Sequence, residues 1–305
     1  MLGKLPVQSS VQRVKMRLLM IVTVLVGICW AKRGNFRVPI NPGHKRGDAN
    51  FATKPRPEVG KRHHSYRHGV NRSHPFELGV GYYYQFDIML RPEVQRNAIP
   101  LEDDIRWPNA VVPYVISSTF SAANVSIIKS AMDQYAQTTC VRFVPRTSEA
   151  EYITIGNGAS GCWSYVGRSL DNQYNQVNLQ VPSCITTGTV THELMHALGF
   201  YHEFSRPDRD DYVSIDMGAL APQYQTTEFF NANFEKLTPQ QAELYGIPYN
   251  YGSVMHYSKW GGAVSYNRPV MNNLKPWVGD FGNKIGLATT DVQAVNSMYC
   301  KSPAV

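Results

Sequence analysis

Apolar and polar positions follow two regimes along this chain of 305 residues, and the change falls near residue 97. Beyond it the pattern is periodic. Residues 111–117 (Val-Val-Pro-Tyr-Val-Ile-Ser) read as a strand. Residues 122–139 place Ile127, Ile128, Ala131, Met132 and Tyr135 at helical offsets. Residues 141–144, 152–155 and 176–181 alternate as strands do, and 189–200 is helical again. Further on, helical spacing is confined to 227–233, 239–244 and 289–299, where Asp291 behind Thr289 and Thr290 resembles an N-terminal capping region. There is no internal repeat. The order strand, helix, three strands, helix predicts an α+β fold: a twisted sheet on two helices, then a C-terminal part poor in regular elements and closed by a helix.

Residues 32–96 are different. They are rich in Pro, Gly, Arg and His, and no apolar period is sustained until about Gly79. Such a stretch is not expected to bury a core of its own. The exception is 81–90 (Gly-Tyr-Tyr-Tyr-Gln-Phe-Asp-Ile-Met-Leu), which is strand-like but contains Asp87. Nearer the start, Lys15-Met16-Arg17 precedes an apolar run from Leu18 to Trp30 that ends at Ala31. A basic flank, a short apolar stretch and a small residue predict a secretory signal over 1–31, with Met16 as an alternative start. The run is shorter than the about 20 residues of a membrane span, so no stable membrane association is expected.

Charge follows the same division. Residues 1–96 carry 17 Lys and Arg against 5 Asp and Glu, a net +12; the rest carry 13 against 18, a net −5. The overall +7 therefore belongs to the N-terminal third and gives no reason to expect nucleic acid as a partner of the remainder. The clusters Lys61-Arg62-His63-His64 and Arg67-His68 read as solvated, loosely ordered segment. Of five cysteines, Cys29 lies in the signal. Cys140, Cys162, Cys184 and Cys300 remain, and an exported chain with an even number is expected to form two disulfides, with three pairings open. Asn71-Arg72-Ser73 and Asn124-Val125-Ser126 are glycosylation acceptors for such a chain.

The chemistry is concentrated at 192–202, His-Glu-Leu-Met-His-Ala-Leu-Gly-Phe-Tyr-His. His192 and His196 stand one helical turn apart on one face, so both imidazoles can reach one metal ion. Glu193 can reach a metal-bound water. Gly199 lets the chain leave the helix sharply, and His202 can return as a third nitrogen ligand. Three protein ligands with a fourth position open are the pattern of catalytic zinc. Only four histidines follow residue 96, and three of them are these.

The run from His192 to Val213, HELMHALGFYHEFSRPDRDDYV, resembles the signature of the astacin family of zinc endopeptidases, HExxHxxGFxHExxRxDRD. Similarity continues at Cys140–Arg146, Gly161–Gly167, Ser253–Tyr257 and Tyr299-Cys300, over about 97–300. The resemblance implies a metzincin-like catalytic domain over 97–305, with a mostly parallel sheet, an antiparallel edge strand and two sub-lobes around a cleft. It implies a propeptide over 32–96. Only Lys-Ser-Pro-Ala-Val follows Cys300, so no accessory binding module is expected there. One zinc would be held by His192, His196 and His202, with Glu193 as general base and Met255 packed beneath. Tyr257 would be a further zinc ligand at rest that swings to hydrogen-bond the tetrahedral intermediate. The pairing becomes Cys140–Cys300 and Cys162–Cys184. Tyr84-Gln85-Phe86-Asp87 resembles the family's Phe-x-Gly-Asp inhibitory segment, with Phe86 in place of Gly, so Asp87 is the expected latent-state zinc ligand. A trypsin-like protease cutting after Arg96 would free Asn97, whose amino group is expected near Glu203. Lys284, in Gly282-Asn283-Lys284-Ile285-Gly286-Leu287, falls where the family has a pocket Arg, which implies Asp or Glu after the bond cut. The region 152–165 would be the cleft edge where substrate adds as an antiparallel strand. The expected activity is a secreted, extracellular endopeptidase made as a zymogen, acting on proteins or peptides. An inert binding protein on the same fold would have lost Glu193 or a ligand. The Phe-Tyr-His-Glu continuation and Arg-x-Asp-Arg-Asp set the chain apart from matrix-metalloproteinase-like clans.

Overall fold

The computed structural model describes residues 52–69, 71–91 and 105–300, all within one compact unit spanning Phe36–Val305. The signal over 1–31, the cut after Arg96 and the freed Asn97 lie outside the described residues.

A five-stranded sheet forms the first lobe, in the order β2-β1-β3-β5-β4: β1 Val111–Ile116, β2 Arg142–Pro145, β3 Ile153–Gly156, β4 Cys162–Ser164 and β5 Gln176–Leu179. β1, β2, β3 and β5 run parallel; β4 runs antiparallel to β5 and forms the edge. An N-terminal helix, α1 Pro57–Ser65, precedes the sheet, and α2 Ala122–Thr138 and α3 Thr187–Ala197 accompany it. α2 buries Ile128, Ala131, Met132 and Tyr135, the spacing of one helical face. The Tyr135 hydroxyl donates to the Thr191 carbonyl at 2.7 Å and so joins α2 to α3. This is the α+β arrangement that the periodicity predicts, with the short antiparallel edge strand that the resemblance implies.

The second lobe is mostly irregular. It holds β6 Val213–Ile215 paired with β7 Met271–Asn273, the short α4 Thr227–Asn233 and the C-terminal α5 Thr289–Tyr299. Asp291 stands at the start of α5 and accepts from Ala288 N, Val254 N and Ser253 Oγ at 2.8, 2.9 and 2.6 Å. One carboxylate thus caps the helix and anchors the loop that carries Met255. Cys140–Cys300 ties the end of α5 to the first lobe, and Cys162–Cys184 staples β4 to the approach of α3.

Four expectations are corrected. Residues 239–241 form a turn and 242–244 carry no regular structure, where a helix was expected. The cleft edge is confined to β4, while Ile153–Gly156 lies inside the sheet. Lys61, His64, Arg67 and His68 are exposed as expected, but residues 52–69 and 71–91 are not loosely ordered. α1 forms across the basic cluster, and His63 is buried with its Nδ1 2.6 Å from Ser183 Oγ. Arg62 donates to the Leu78 and Val80 carbonyls at 2.7 and 2.8 Å. This segment buries Val59, Phe76, Tyr83, Phe86 and Ile88 against the rest of the chain instead of a core of its own. The strand-like stretch 81–90 is a tight turn in which Gln85 and Phe86 take φ of +43° and +68°.

Candidate metal centre and active site

Thr186 caps the start of α3, its hydroxyl accepting from Thr189 N, and residues 188–197 are all buried. His192 and His196 therefore project from a fixed helix into the protein. At Gly199 φ is +109°, and a Cβ there would stand 3.0 Å from Ile105 and 3.1 Å from Met298. Glycine makes the exit turn possible. Beyond the turn, Glu203 N donates to the Met255 carbonyl at 3.0 Å, which holds the returning strand with His202 in place.

The three imidazoles converge. Nε2 of His202 is 3.2 Å from Nε2 of His196 and 3.3 Å from Nε2 of His192. Each Nδ1 faces an oxygen: Val254 O at 2.7 Å for His192, Phe200 O at 2.7 Å for His196 and Gln85 Oε1 at 2.8 Å for His202. An Nδ1–H that donates outward leaves the Nε2 lone pair facing the common centre. Three lone pairs this close repel one another unless a cation sits between them. Nitrogen ligands at about 2.0–2.1 Å around a tetrahedral zinc stand about 3.3–3.4 Å apart, which is the spacing found. Burial lowers the pKa of His192, and that of His202 to about 3, so both stay neutral and able to ligate. The residues fit zinc.

Asp87 supplies a fourth ligand atom. Its Oδ2 is 3.0 Å from His192 Nε2 and 3.2 Å from His202 Nε2, and its Oδ1 is 3.6 Å from His196 Nε2. Phe86, where glycine was expected, still adopts the positive φ of the turn; its ring stacks on Tyr257 at 5.1 Å.

Glu193 is fully buried, and neither carboxylate oxygen has a hydrogen-bond partner among the described residues. Burial, and then the charge of Asp87, push its pKa well up. The Tyr257 hydroxyl is also buried without a partner among them, and its ring lies 4.5 Å from that of His202. An unpaired buried polar group costs about 1–3 kcal/mol, so two beside one donor cluster mark groups kept for a ligand. Met255 is buried on the loop under the histidines.

Glu203 is buried; its Oε1 accepts from Arg206 Nη1 at 3.2 Å and Asn250 N at 2.9 Å, and burial raises its pKa to about 7. It lines a cavity of ≈ 100 Å³ with Arg206, Asp291 and Met298. Lys284 is exposed on a loop whose backbone packs against Gly188 at the start of α3. Asn71 is half-buried, with its Nδ2 3.4 Å from the Tyr266 hydroxyl, and Asn124 is half-buried in the first turn of α2.

Sequence reasoning missed Gln85, which orients His202, and Phe76, which stacks on His192 with centroids 3.7 Å apart. It also missed Glu77, which binds Ser258. The Tyr-Gln-Phe-Asp stretch was the only local signal that the N-terminal segment enters the site.

Comparison with known proteins agrees with this geometry. The family model for Astacin, a family of peptidases, matches residues 101–300. The zinc metalloproteinase nas-14 of Caenorhabditis elegans is 41% identical over 198 residues, which cover 64% of this chain and 37% of that one. Blastula protease 10 of Paracentrotus lividus is 35% identical over 240 residues, 71% of this chain and 38% of that one. The chain thus spans 37–38% of the length of these two relatives. Among solved structures, high choriolytic enzyme 1, a hatching-enzyme zinc protease from the medaka Oryzias latipes, superposes with a TM-score of 0.55 at 33% identity, covering 64% of this chain and 92% of that one.

Proposed function

Since the chain belongs to the astacin family of peptidases, we propose that it is a secreted zinc endopeptidase held latent by its own N-terminal segment. The observation that carries this reading is the Asp87 carboxylate lodged among three buried imidazoles, with Glu193 beside them.

His192, His196 and His202 would hold the metal through Nε2, and the outward hydrogen bonds of their Nδ1 atoms fix the rings for it. Zinc bound there would polarise a peptide carbonyl and lower the pKa of a water toward about 7. Glu193 takes the proton of the attacking water and passes it to the leaving amine. The Tyr257 hydroxyl donates to the oxyanion that forms on the scissile carbonyl. Both groups await a partner in the structure, which suits these roles.

Latency follows from two contacts. The Asp87 carboxylate takes the side of the histidines that the attacking water needs. The backbone of 87–89 lies along the free edge of β4: Met89 N donates to Ser164 O at 2.9 Å, and Ser164 N to Asp87 O at 3.1 Å. Ile88 pairs with Ser164 in the parallel sense. A substrate added antiparallel would run the other way, so the inhibitory segment covers the edge with its chain direction reversed. On this reading residues 1–31 are a signal, 32–96 a propeptide and 97–305 the catalytic domain. A trypsin-like cut after Arg96 would free Asn97. Its ammonium group would offset the buried charge of Glu203 in the adjoining cavity. The two disulfides and the apolar run at 18–30 support export, and no described helix is long and apolar enough to cross a membrane. Substrates would be proteins or peptides, with Lys284 favouring an acidic residue after the bond cut and glycans at Asn71 and Asn124.

The test is to treat the zinc-loaded full chain with trypsin and profile cleavage of a proteome-derived peptide pool, with Glu193→Ala as control. Cleavage by the wild type alone supports the reading; equal cleavage by both sinks it.

A further inference from the structure

The N-terminal segment inserts a second carboxyl group beside the site. Glu77 is 2% exposed, and both of its oxygens meet Ser258: Ser258 N donates to Oε1 at 2.6 Å, and Ser258 Oγ lies 2.8 Å from Oε2. Trp260 N donates to the same Oγ at 3.3 Å, so the serine hydroxyl is oriented from behind. Gly261 forms another wall; a Cβ there would stand 3.4 Å from the Glu77 carboxyl carbon. Burying a carboxyl without hydrogen bonds is costly, so Ser258 is what makes this insertion tolerable. The charged group facing it is Asp280, of like sign, and among the described residues no cation pairs with it. Recognition is therefore by hydrogen bonds to a planar two-atom end and not by charge.

The pocket is next to the reacting groups. Ser258 follows Tyr257, and Phe76, which precedes Glu77, stacks on His192. When residues 74–77 leave, the backbone N–H and the hydroxyl of Ser258 lose these partners. We propose that the Ser258 pocket is a subsite for a glutamate or glutamine side chain of the substrate, at one fixed position within two residues of the bond cut. As a substrate subsite it rests on the peptidase reading above. It differs from the acidic preference expected of Lys284, because a carboxamide has the same shape and satisfies Ser258 equally well.

Two measurements test it separately from that reading. The first is binding of synthetic peptides of residues 72–91 to the trypsin-processed, zinc-loaded chain by fluorescence anisotropy. At pH 5, where the free Glu side chain is partly protonated, peptides with Glu or Gln at position 77 should bind within about fivefold of each other. Leu there should weaken binding about tenfold or more, the equivalent of both hydrogen bonds. In Ser258→Ala the Glu-to-Leu ratio should fall about fivefold, as for loss of one hydrogen bond. Ser258→Gly, which removes the same hydroxyl, should lower it too and serves if Ser258→Ala does not fold. A Leu peptide that binds as well as Glu, or a ratio unchanged in both variants, overturns the inference. The second is the cleavage profile. Enrichment of both Glu and Gln at one position, reduced in the variants, supports the subsite; a profile with neither overturns it while the peptidase reading stands. Absence of cleavage overturns the peptidase reading, and with it the substrate role.

Discussion

Asp87 Oδ2 lies 3.0 Å from His192 Nε2, although 105 residues separate them in the chain. The first belongs to a segment whose composition gives no core, the second to a helix that is buried along most of its length. Their contact makes the N-terminal segment part of the candidate active site.

Removing that carboxylate should uncouple latency from processing. Asp87→Asn keeps the size of the side chain but loses its charge. Assayed without trypsin, the full-length variant should hydrolyse a peptide pool at least about tenfold faster than the unprocessed wild type, since a neutral amide is a far weaker zinc ligand than a carboxylate. Equal latency of the two would show that Asp87 does not hold the site closed.

Glu193 should matter to turnover and not to metal binding. Glu193→Ala is expected to lower kcat of the processed chain by about 10²–10⁴, the usual contribution of a positioned acid–base group. Zinc content should stay at one per chain, because the side chain is not among the atoms that converge. A fall in zinc content matching the fall in activity would make Glu193 a ligand.

Gly199 should be intolerant of a side chain. At φ +109°, with Ile105 and Met298 about 3 Å from a new Cβ, Gly199→Ala meets both backbone strain and a steric clash. A loss of about 1–3 kcal/mol is expected, read as a lower unfolding midpoint together with weaker zinc retention, since the turn delivers His202. An unchanged midpoint would mean the turn relaxes freely.

The docking of residues 74–79 should weaken as pH rises. Burial lifts the pKa of Glu77 from 4.5 to about 8, so the docked segment favours the protonated form. The stability it contributes is complete below the unfolded pKa and is lost as pH climbs from 4.5 toward 8, by up to roughly 4 kcal/mol. Hydrogen exchange of 74–84, compared with Glu77→Gln at each pH, should show extra opening of the wild type near pH 8 and little difference near pH 5. Parallel behaviour across that range would contradict the assignment.

What could be read from the sequence depended on how local each feature is. His192 and His196 were legible because helix geometry alone puts them one turn apart, and His202 because Gly199 marks the exit turn. Strand β1 was seen as an apolar, β-branched run, and β2, β3 and β5 by their alternation. β4 did not: Cys162, Trp163 and Ser164 are all buried, so no polar face alternates with an apolar one. Helix α1 was hidden in a run of Lys, Arg and His, since its order comes from Val59 and His63 packing on a distant surface. Glu77 and Ser258 lie 181 residues apart and carry no motif. Tertiary packing alone brings them together.

The central claim is that three imidazoles and one carboxylate share a single cation. X-ray absorption at the zinc edge, with metal analysis of the full-length chain, tests this most directly. One zinc per chain is predicted, with three nitrogen neighbours at about 2.0–2.1 Å and one oxygen that the Asp87→Asn variant no longer supplies. No stoichiometric zinc, or a shell lacking three nitrogens, would contradict it.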